Sequence, residues 1–247
     1  MGVGGSAGGF EATMELLRHL PAKNGMSFVV VQHLDPHHAS KLASLLGKVT
    51  AMPVIEITKT TRPQPNTVYV QPSNKCVVAK NDKLVLVRRT QQLNVAIDQF
   101  FESLAEACGS RGIGVLLSGT GSDGTAGLRA IKVAGGLTFA QDEGTAKFAE
   151  MPRNAIRSGF VDAVRSPREI AHEIRHIVEH PYIRRSIESD KERAAKLDYQ
   201  KADDLGRIFL SLKKQMGVDF TGYKLETLNR RILRRMALHR MTNLGQY

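Results

Sequence analysis

An α/β fold, doubly wound around a mostly parallel sheet with one antiparallel hairpin and followed by a small all-α module, is predicted by three observations. Over the first 165 residues, short apolar β-branched runs alternate with amphipathic helical patterns, the signature of strands joined by helical crossovers. Two of those runs, Phe28-Val29-Val30-Val31 and Val115-Leu116-Leu117, show no polar alternation, as expected of strands covered by helices on both faces. Beyond residue 180 the character changes to dense charge and helical periodicity alone.

The elements follow in order. A strand remnant ends at a glycine run, and the first helix spans Phe10–His19. Strand Ser27–Gln32 and helix Ser40–Val49 come next, then strands Val54–Ile57 and Thr67–Val70. Cys76–Ala79 and Leu84–Arg88 flank Lys80-Asn81-Asp82-Lys83, whose central pair suits a hairpin turn, so an antiparallel excursion is expected near 67–88. Helix Val95–Cys108, strand Gly114–Leu117, helix Thr125–Val133, strand Leu137–Ala140, strand Val161–Val164 and helix Pro167–Glu179 complete the domain, residues 1–180. His180-Pro181 stops that helix. Residues 181–202 form a charged linker. In 203–247 two helices, about Leu205–Met216 and Lys224–His239, are separated by a turn at Gly217. The abrupt ends suggest a piece of a longer chain.

The 247 residues carry a formal net charge of +11, with 42% hydrophobic and 24% charged side chains, which excludes general disorder. No apolar run approaches the roughly 20 residues of a membrane span, and Met1 opens no secretory leader. Two cysteines, Cys76 and Cys108, fit a reduced cytoplasmic protein better than a disulfide scaffold. Residues 1–180 hold 20 Lys+Arg against 16 Asp+Glu; residues 181–247 hold 15 against 8, so most of the excess lies in the last quarter.

Five motifs could carry chemistry. Gly4-Gly5-Ser6-Ala7-Gly8-Gly9 joins a strand to a helix in the nucleophile-elbow pattern, which would hold the Ser6 hydroxyl clear of the sheet and free the Ala7 amide for an oxyanion. The same run would also serve as a phosphate loop or a plain turn. Gln32-His33-Leu34-Asp35-Pro36-His37-His38 ends a strand, where His33 could be the base a serine needs. A metal reading through His33, Asp35, His37 and His38 is disfavoured by Pro36, which breaks the spacing. Ser118-Gly119-Thr120-Gly121-Ser122-Asp123-Gly124 matches G-x-G-x-x-G, with Asp142 placed 18 residues beyond Gly124 as a ribose-binding acid would be, so a dinucleotide enzyme is one alternative. Asp123 inside the loop would repel a pyrophosphate and is better suited to orienting a histidine.

His172-Glu173-Ile174-Arg175-His176 matches H-E-x-x-H, but an amphipathic helix with Ile170, Ile174 and Ile177 inward explains it without a metal. Finally, Arg230, Arg231, Arg234 and Arg235 cluster on a helix whose apolar stripe is Leu228, Ile232, Leu233 and Met236. That face suits an acidic partner. With no tryptophan and 6% aromatics there is no stacking platform for single strands, so a protein is favoured over nucleic acid.

Ser6, His33 and Asp123 thus stand in the order serine, histidine, acid, each beyond a strand. With Tyr69-Val70-Gln71-Pro72, Ala140-Gln141-Asp142 and Met151-Pro152-Arg153-Asn154-Ala155, these blocks resemble the catalytic domain of chemotaxis protein-glutamate methylesterases, the CheB family, over about residues 1–180. Met216-Gly217-Val218-Asp219-Phe220 and the segment Tyr223–Arg231 resemble the helical N-terminal domain of the CheR methyltransferases, as in CheB–CheR hybrids. The resemblance implies a serine hydrolase acting on glutamate γ-methyl esters of chemoreceptors: Ser6 nucleophile, His33 general base, Asp123 orienting acid, and an oxyanion site at the Thr120 amide with Gly121 beside it. It implies no cofactor for the esterase, and S-adenosylmethionine only for a methyltransferase domain expected after Tyr247. Partners would be methylated chemoreceptors or similar signalling proteins, with neither nucleic acid nor membrane insertion. A catalytically silent signalling scaffold is the other alternative. Three departures stand out: Ala7 replaces the family's threonine, Thr120 replaces its methionine, and no receiver domain precedes Met1.

Overall fold

The computed structural model describes residues 1–33, 40–88, 95–179 and scattered positions between 206 and 245. Seven strands form one wholly parallel sheet: β1 Gly2–Gly5, β2 Ser27–Gln32, β3 Val54–Glu56, β4 Thr67–Val70, β7 Ile113–Leu116, β8 Leu137–Gln141 and β9 Ala163–Arg165. Their order across the sheet is β3-β4-β2-β1-β7-β8-β9. The chain therefore winds outward from β1 in both directions, and the loops after β1, β2 and β7 leave side by side at the carboxyl edge. In such sheets that switch point is where ligands and functional groups collect.

β5 Lys75–Lys80 and β6 Lys83–Arg88 form a separate two-stranded sheet, joined by Asn81 and Asp82 at φ 51° and 57°, the left-handed pair a two-residue hairpin needs. The antiparallel excursion is accordingly narrower than expected: Thr67–Val70 runs parallel to β2, and only 75–88 reverses. A bridge between Thr61 and Leu84 ties this hairpin to the segment after β3.

Helices α1 Gly9–His19, α2 Leu42–Leu46, α3 Ala96–Cys108, α4 Thr125–Val133, α5 Glu150–Arg157 and α6 Pro167–Glu179 join or cover the strands. On one face Val29, Val31, Tyr69 and Leu116 pack with Ile97, Phe100, Phe101 and Leu104 of α3 and Leu128 and Ile131 of α4. The alternate residues Phe28, Val30, Val68, Val70 and Val115 point to the opposite face and are equally buried, which is why these strands lack polar alternation. α2 is shorter than its apolar pattern predicts, ending before Gly47, where helix propensity falls. α5 was not predicted: Pro152 argues against a helix, yet it sits in the first turn, where no amide is needed.

The chain divides into compact units at Met1–Arg175 and His176–Tyr247. In the second, described positions of the two predicted helices are helical except His239, which lies in a turn, and Gly217 between them has φ 69°. Ile232, Met236 and Leu244 form a small core with Ile208, Leu233 and Met241 against it, so the apolar stripe closes the module's own interior. Arg235 is exposed. Arg230, Arg231, Arg234 and the linker 181–202 lie outside the described residues.

Candidate active site

Ser6 follows β1 directly and is built into a tight turn. Its N–H donates to Ser118 O at 3.0 Å and its carbonyl accepts from Gly9 N–H at 2.9 Å. Gly8 makes the turn into α1 in the left-handed region, φ 70°. A Cβ there would lie 2.7 Å from Ser118 Oγ and 2.9 Å from Lys147 Cβ. Gly8→Ala is expected to destabilise the fold by about 1–3 kcal/mol and to slow every reaction of Ser6, because a displaced Ser118 moves both sides of the turn. Denaturation curves and serine-probe labelling check this together; labelling at native speed would contradict it.

His33 follows β2, and its N–H donates to Gly5 O at 3.3 Å. Its Nε2 meets Asp123 Oδ2 at 2.6 Å, with the two side chains 13% and 5% exposed. A charge-assisted hydrogen bond so shielded from water is strong and directional. Because Nε2 is committed to the carboxylate, Nδ1 is the ring nitrogen left to take a proton. Asp123 itself is fixed by the first turn of α3: Oδ2 also accepts from Ile97 N–H at 3.0 Å, and Oδ1 from Asp98 N–H at 2.8 Å. Ser6 Oγ makes no hydrogen bond to a described residue.

The loop carrying Asp123 is held from two further sides. Gln141 Oε1, at the end of β8, accepts from Ser118 N–H at 2.8 Å while Gln141 Nε2 donates to Thr145 O. Ser118 Oγ in turn donates to Ala7 O at 2.8 Å. From α5, Met151 N–H donates to Gly119 O, and Asn154 Nδ2 donates to Gly121 O at 2.9 Å. Gly119 packs closely here: a Cβ would lie 2.7 Å from Met151 Sδ and 3.0 Å from Ser6 Cβ, so a larger residue would have to displace Met151 beside Ser6. Among the described residues, the N–H groups of Ala7, Thr120 and Gly121 donate to no protein acceptor, and Thr120 and Gly121 are exposed. They are donors available to a substrate oxygen.

The structure therefore brings Ser6, His33, Asp123, Ala7, Thr120 and Gly121 to one edge of the sheet. Asp35, His37 and His38 lie outside the described residues. Asp142 caps its own turn, accepting from Gly144 N–H with Oδ1, and the loop's acid is already committed to His33 and α3. Among the described residues no three His, Cys, Asp or Glu side chains gather as metal ligands. His172 instead places its ring 6.2 Å from that of His19. A cavity of about 400 Å³ lined by Gly8, Glu11, Glu15, Gln141, Lys147 and Arg168 includes none of the three central side chains. No described helix is long and apolar enough to cross a membrane.

Sequence reasoning missed Asp98, Gln141 and Asn154 as supports of the loop. Asp98 is the notable omission. Burial first, and then the neighbouring Asp123 charge, push its carboxyl from the ordinary 3.8 up to about 6 against the opposing hydrogen bond from Gly127. The folded state holds this proton more tightly than the unfolded chain, so the group's ionisation costs stability as pH rises from about 4 to about 6. An Asp98→Asn variant lacks that loss. Its melting temperature relative to the native chain is expected to rise across this window, and a constant difference would refute the assignment.

Comparison with known proteins bears on the family and the fold. The family described as CheB methylesterase matches residues 1–174, and that described as CheR methyltransferase, all-alpha domain, matches residues 203–247. A protein-glutamate methylesterase/protein-glutamine glutaminase of Photorhabdus laumondii is 37% identical over 168 residues, 66% of this chain and 48% of the relative. An uncharacterised 104.1 kDa protein of Rhodobacter capsulatus is 34% identical over 222 residues, covering 83% of this chain. The match spans only 23% of that relative's length. The crystal structure of the Thermotoga maritima CheB methylesterase catalytic domain superposes with a TM-score of 0.66 at 28% identity, over 71% of this chain and 96% of that one. The parallel sheet, the serine turn after β1 and the match over residues 1–174 agree: this chain belongs to the CheB methylesterase family.

Proposed function

We propose that the chain is a serine esterase that removes methyl groups from glutamate γ-methyl esters of chemoreceptors. The observation that carries this reading is the shielded pair of His33 with Asp123, the latter on the loop whose Ser118 is hydrogen-bonded to Ser6. Ser6 Oγ attacks the γ-carbonyl carbon while His33 Nδ1 takes its proton. Asp123 keeps the other ring proton on Nε2 and balances the imidazolium. The carbonyl oxygen becomes an oxyanion facing the N–H groups of Ala7, Thr120 and Gly121. The C–O bond to methanol then breaks, and His33 returns its proton to the leaving oxygen. Water repeats the sequence on the acyl-enzyme, releasing glutamate and restoring Ser6. Each proton transfer contributes roughly 10²–10⁴-fold, and each oxyanion donor about 10²–10³. The same route with ammonia leaving would deamidate glutamine, the second activity in the Photorhabdus relative's name.

No cofactor takes part in this chemistry. S-adenosylmethionine belongs to the methyltransferase half, and no residue of 203–247 is assigned to it. The boundaries 1–180, 181–202 and 203–247 divide esterase, linker and helical module. Arg230, Arg231, Arg234 and Arg235 give that module a cationic stretch of sequence suited to acidic receptor helices, in the cytoplasm. Binding of a receptor fragment should weaken as salt rises. The decisive experiment measures methanol released from a receptor fragment methylated at glutamate, alongside labelling of Ser6 by a fluorophosphonate. Turnover with labelling at Ser6 is expected; neither would favour a silent scaffold.

A further inference from the structure

Two carboxylates stand at the N-termini of α3 and α4, and each caps the other's helix. Asp123, just before α4, accepts from the Ile97 and Asp98 N–H groups in the first turn of α3. Asp98 answers from α3: its Oδ1 accepts from Gly127 N–H, in the first turn of α4, at 2.7 Å. Both helix ends carry unpaired N–H groups and partial positive charge, so each exchange satisfies donors and charge together. The helices meet closely here. A Cβ on Gly127 would fall 2.4 Å from Phe101 Cβ and 3.1 Å from Asp98 Cα.

We propose that Asp98 is a positioning residue of the catalytic machinery, locking α3 against α4 so that Asp123 is held in the one orientation that aims His33. The proposal rests on the reading of Ser6, His33 and Asp123 as the triad. Asp98 also carries a titratable charge within this lock. The ionisable groups acting on Asp98 are Asp123 from the loop and Glu102 one turn along α3, both acids, while α4 meets it with the Gly124 and Gly127 amides. No cation is among them, and His33 stands beyond Asp123. As pH passes about 6, ionised Asp98 therefore places a second negative charge behind the base.

Asparagine and alanine separate the two roles. Asp98→Asn keeps an acceptor for Gly127 and removes the charge; Asp98→Ala removes both. The test follows the rate of fluorophosphonate labelling at Ser6 from about pH 5 to about pH 9. The Asn variant, which keeps the acceptor for the Gly127 amide, is expected to label within about threefold of native. The Ala variant is expected to label about 10–100-fold more slowly at every pH, as a misaimed base would. Thermal melts show whether it folds, and the Asn variant decides the matter if it does not. Labelling of a folded Ala variant at native speed, or an Asn variant slowed as far as the Ala variant, would overturn the proposal. Failure of the native chain to label at Ser6 strikes instead at the triad reading, and melts of the Asn and Ala variants still test the lock between α3 and α4.

Discussion

Ser6→Ala is expected to abolish methanol release, by at least about 10⁴-fold in kcat, and to remove fluorophosphonate labelling altogether. The expectation follows from how little else the change disturbs. Ser6 is held by its backbone, through the N–H to Ser118 O and the carbonyl to Gly9 N–H, and alanine retains both bonds and the Cβ beside Gly119. Its hydroxyl makes no hydrogen bond to a described residue, so stability should change by no more than about 0.5 kcal/mol. What disappears is the atom that bonds to carbon. The amides of Ala7, Thr120 and Gly121 would still polarise a bound carbonyl, and the residual rate reports what such donors accomplish alone. A variant that turns over normally while folding normally would remove the serine from the mechanism, whatever the fold.

Residues whose role is local were legible in the sequence. Gly8 had to be a glycine because the strand-to-helix turn passes through φ 70°, and that constraint is visible as Gly-x-Ser-x-Gly. The Asn81-Asp82 turn is a similar case. The parallel strands declared themselves because burial on both faces leaves no room for polar alternation. Residues whose role is a contact across the fold were silent. Asp98 looks like any acid in the first turn of a helix until β1, β2 and β7 bring α3 against the loop at 118–124. α5 was hidden by Pro152, although Met151 and Asn154 on it grip Gly119 and Gly121. Asp123 lies between these cases. Its position in the glycine loop suited two chemistries, and the partners of its carboxylate favour the histidine-orienting one.

Those partners determine what Asp123→Asn should do. The two carboxylate oxygens receive three donors: the Ile97 N–H and His33 Nε2 on Oδ2, and the Asp98 N–H on Oδ1. An asparagine has one oxygen and one NH₂, so neither orientation suits the site. With its oxygen toward His33, the NH₂ faces the Asp98 N–H and two donors collide. With its oxygen toward Asp98, the NH₂ faces the Ile97 N–H and His33. The ring must then accept at Nε2 and carry its proton on Nδ1, the nitrogen that has to receive the proton of Ser6. Either way the charge that balances the imidazolium is gone from a nearly dry site. Activity is expected to fall about 10³–10⁴-fold, as the wrong tautomer costs in serine hydrolases generally. Stability should fall by about 1–3 kcal/mol as well, since a buried donor loses its partner. Asp123→Ala, which removes the collision, should recover part of the stability but none of the activity. Asp35→Asn is the matched control and should leave turnover near native. If that control were the damaging change and Asp123→Asn harmless, the acid behind His33 would be Asp35, and the hydrogen bond at 2.6 Å would be structural only.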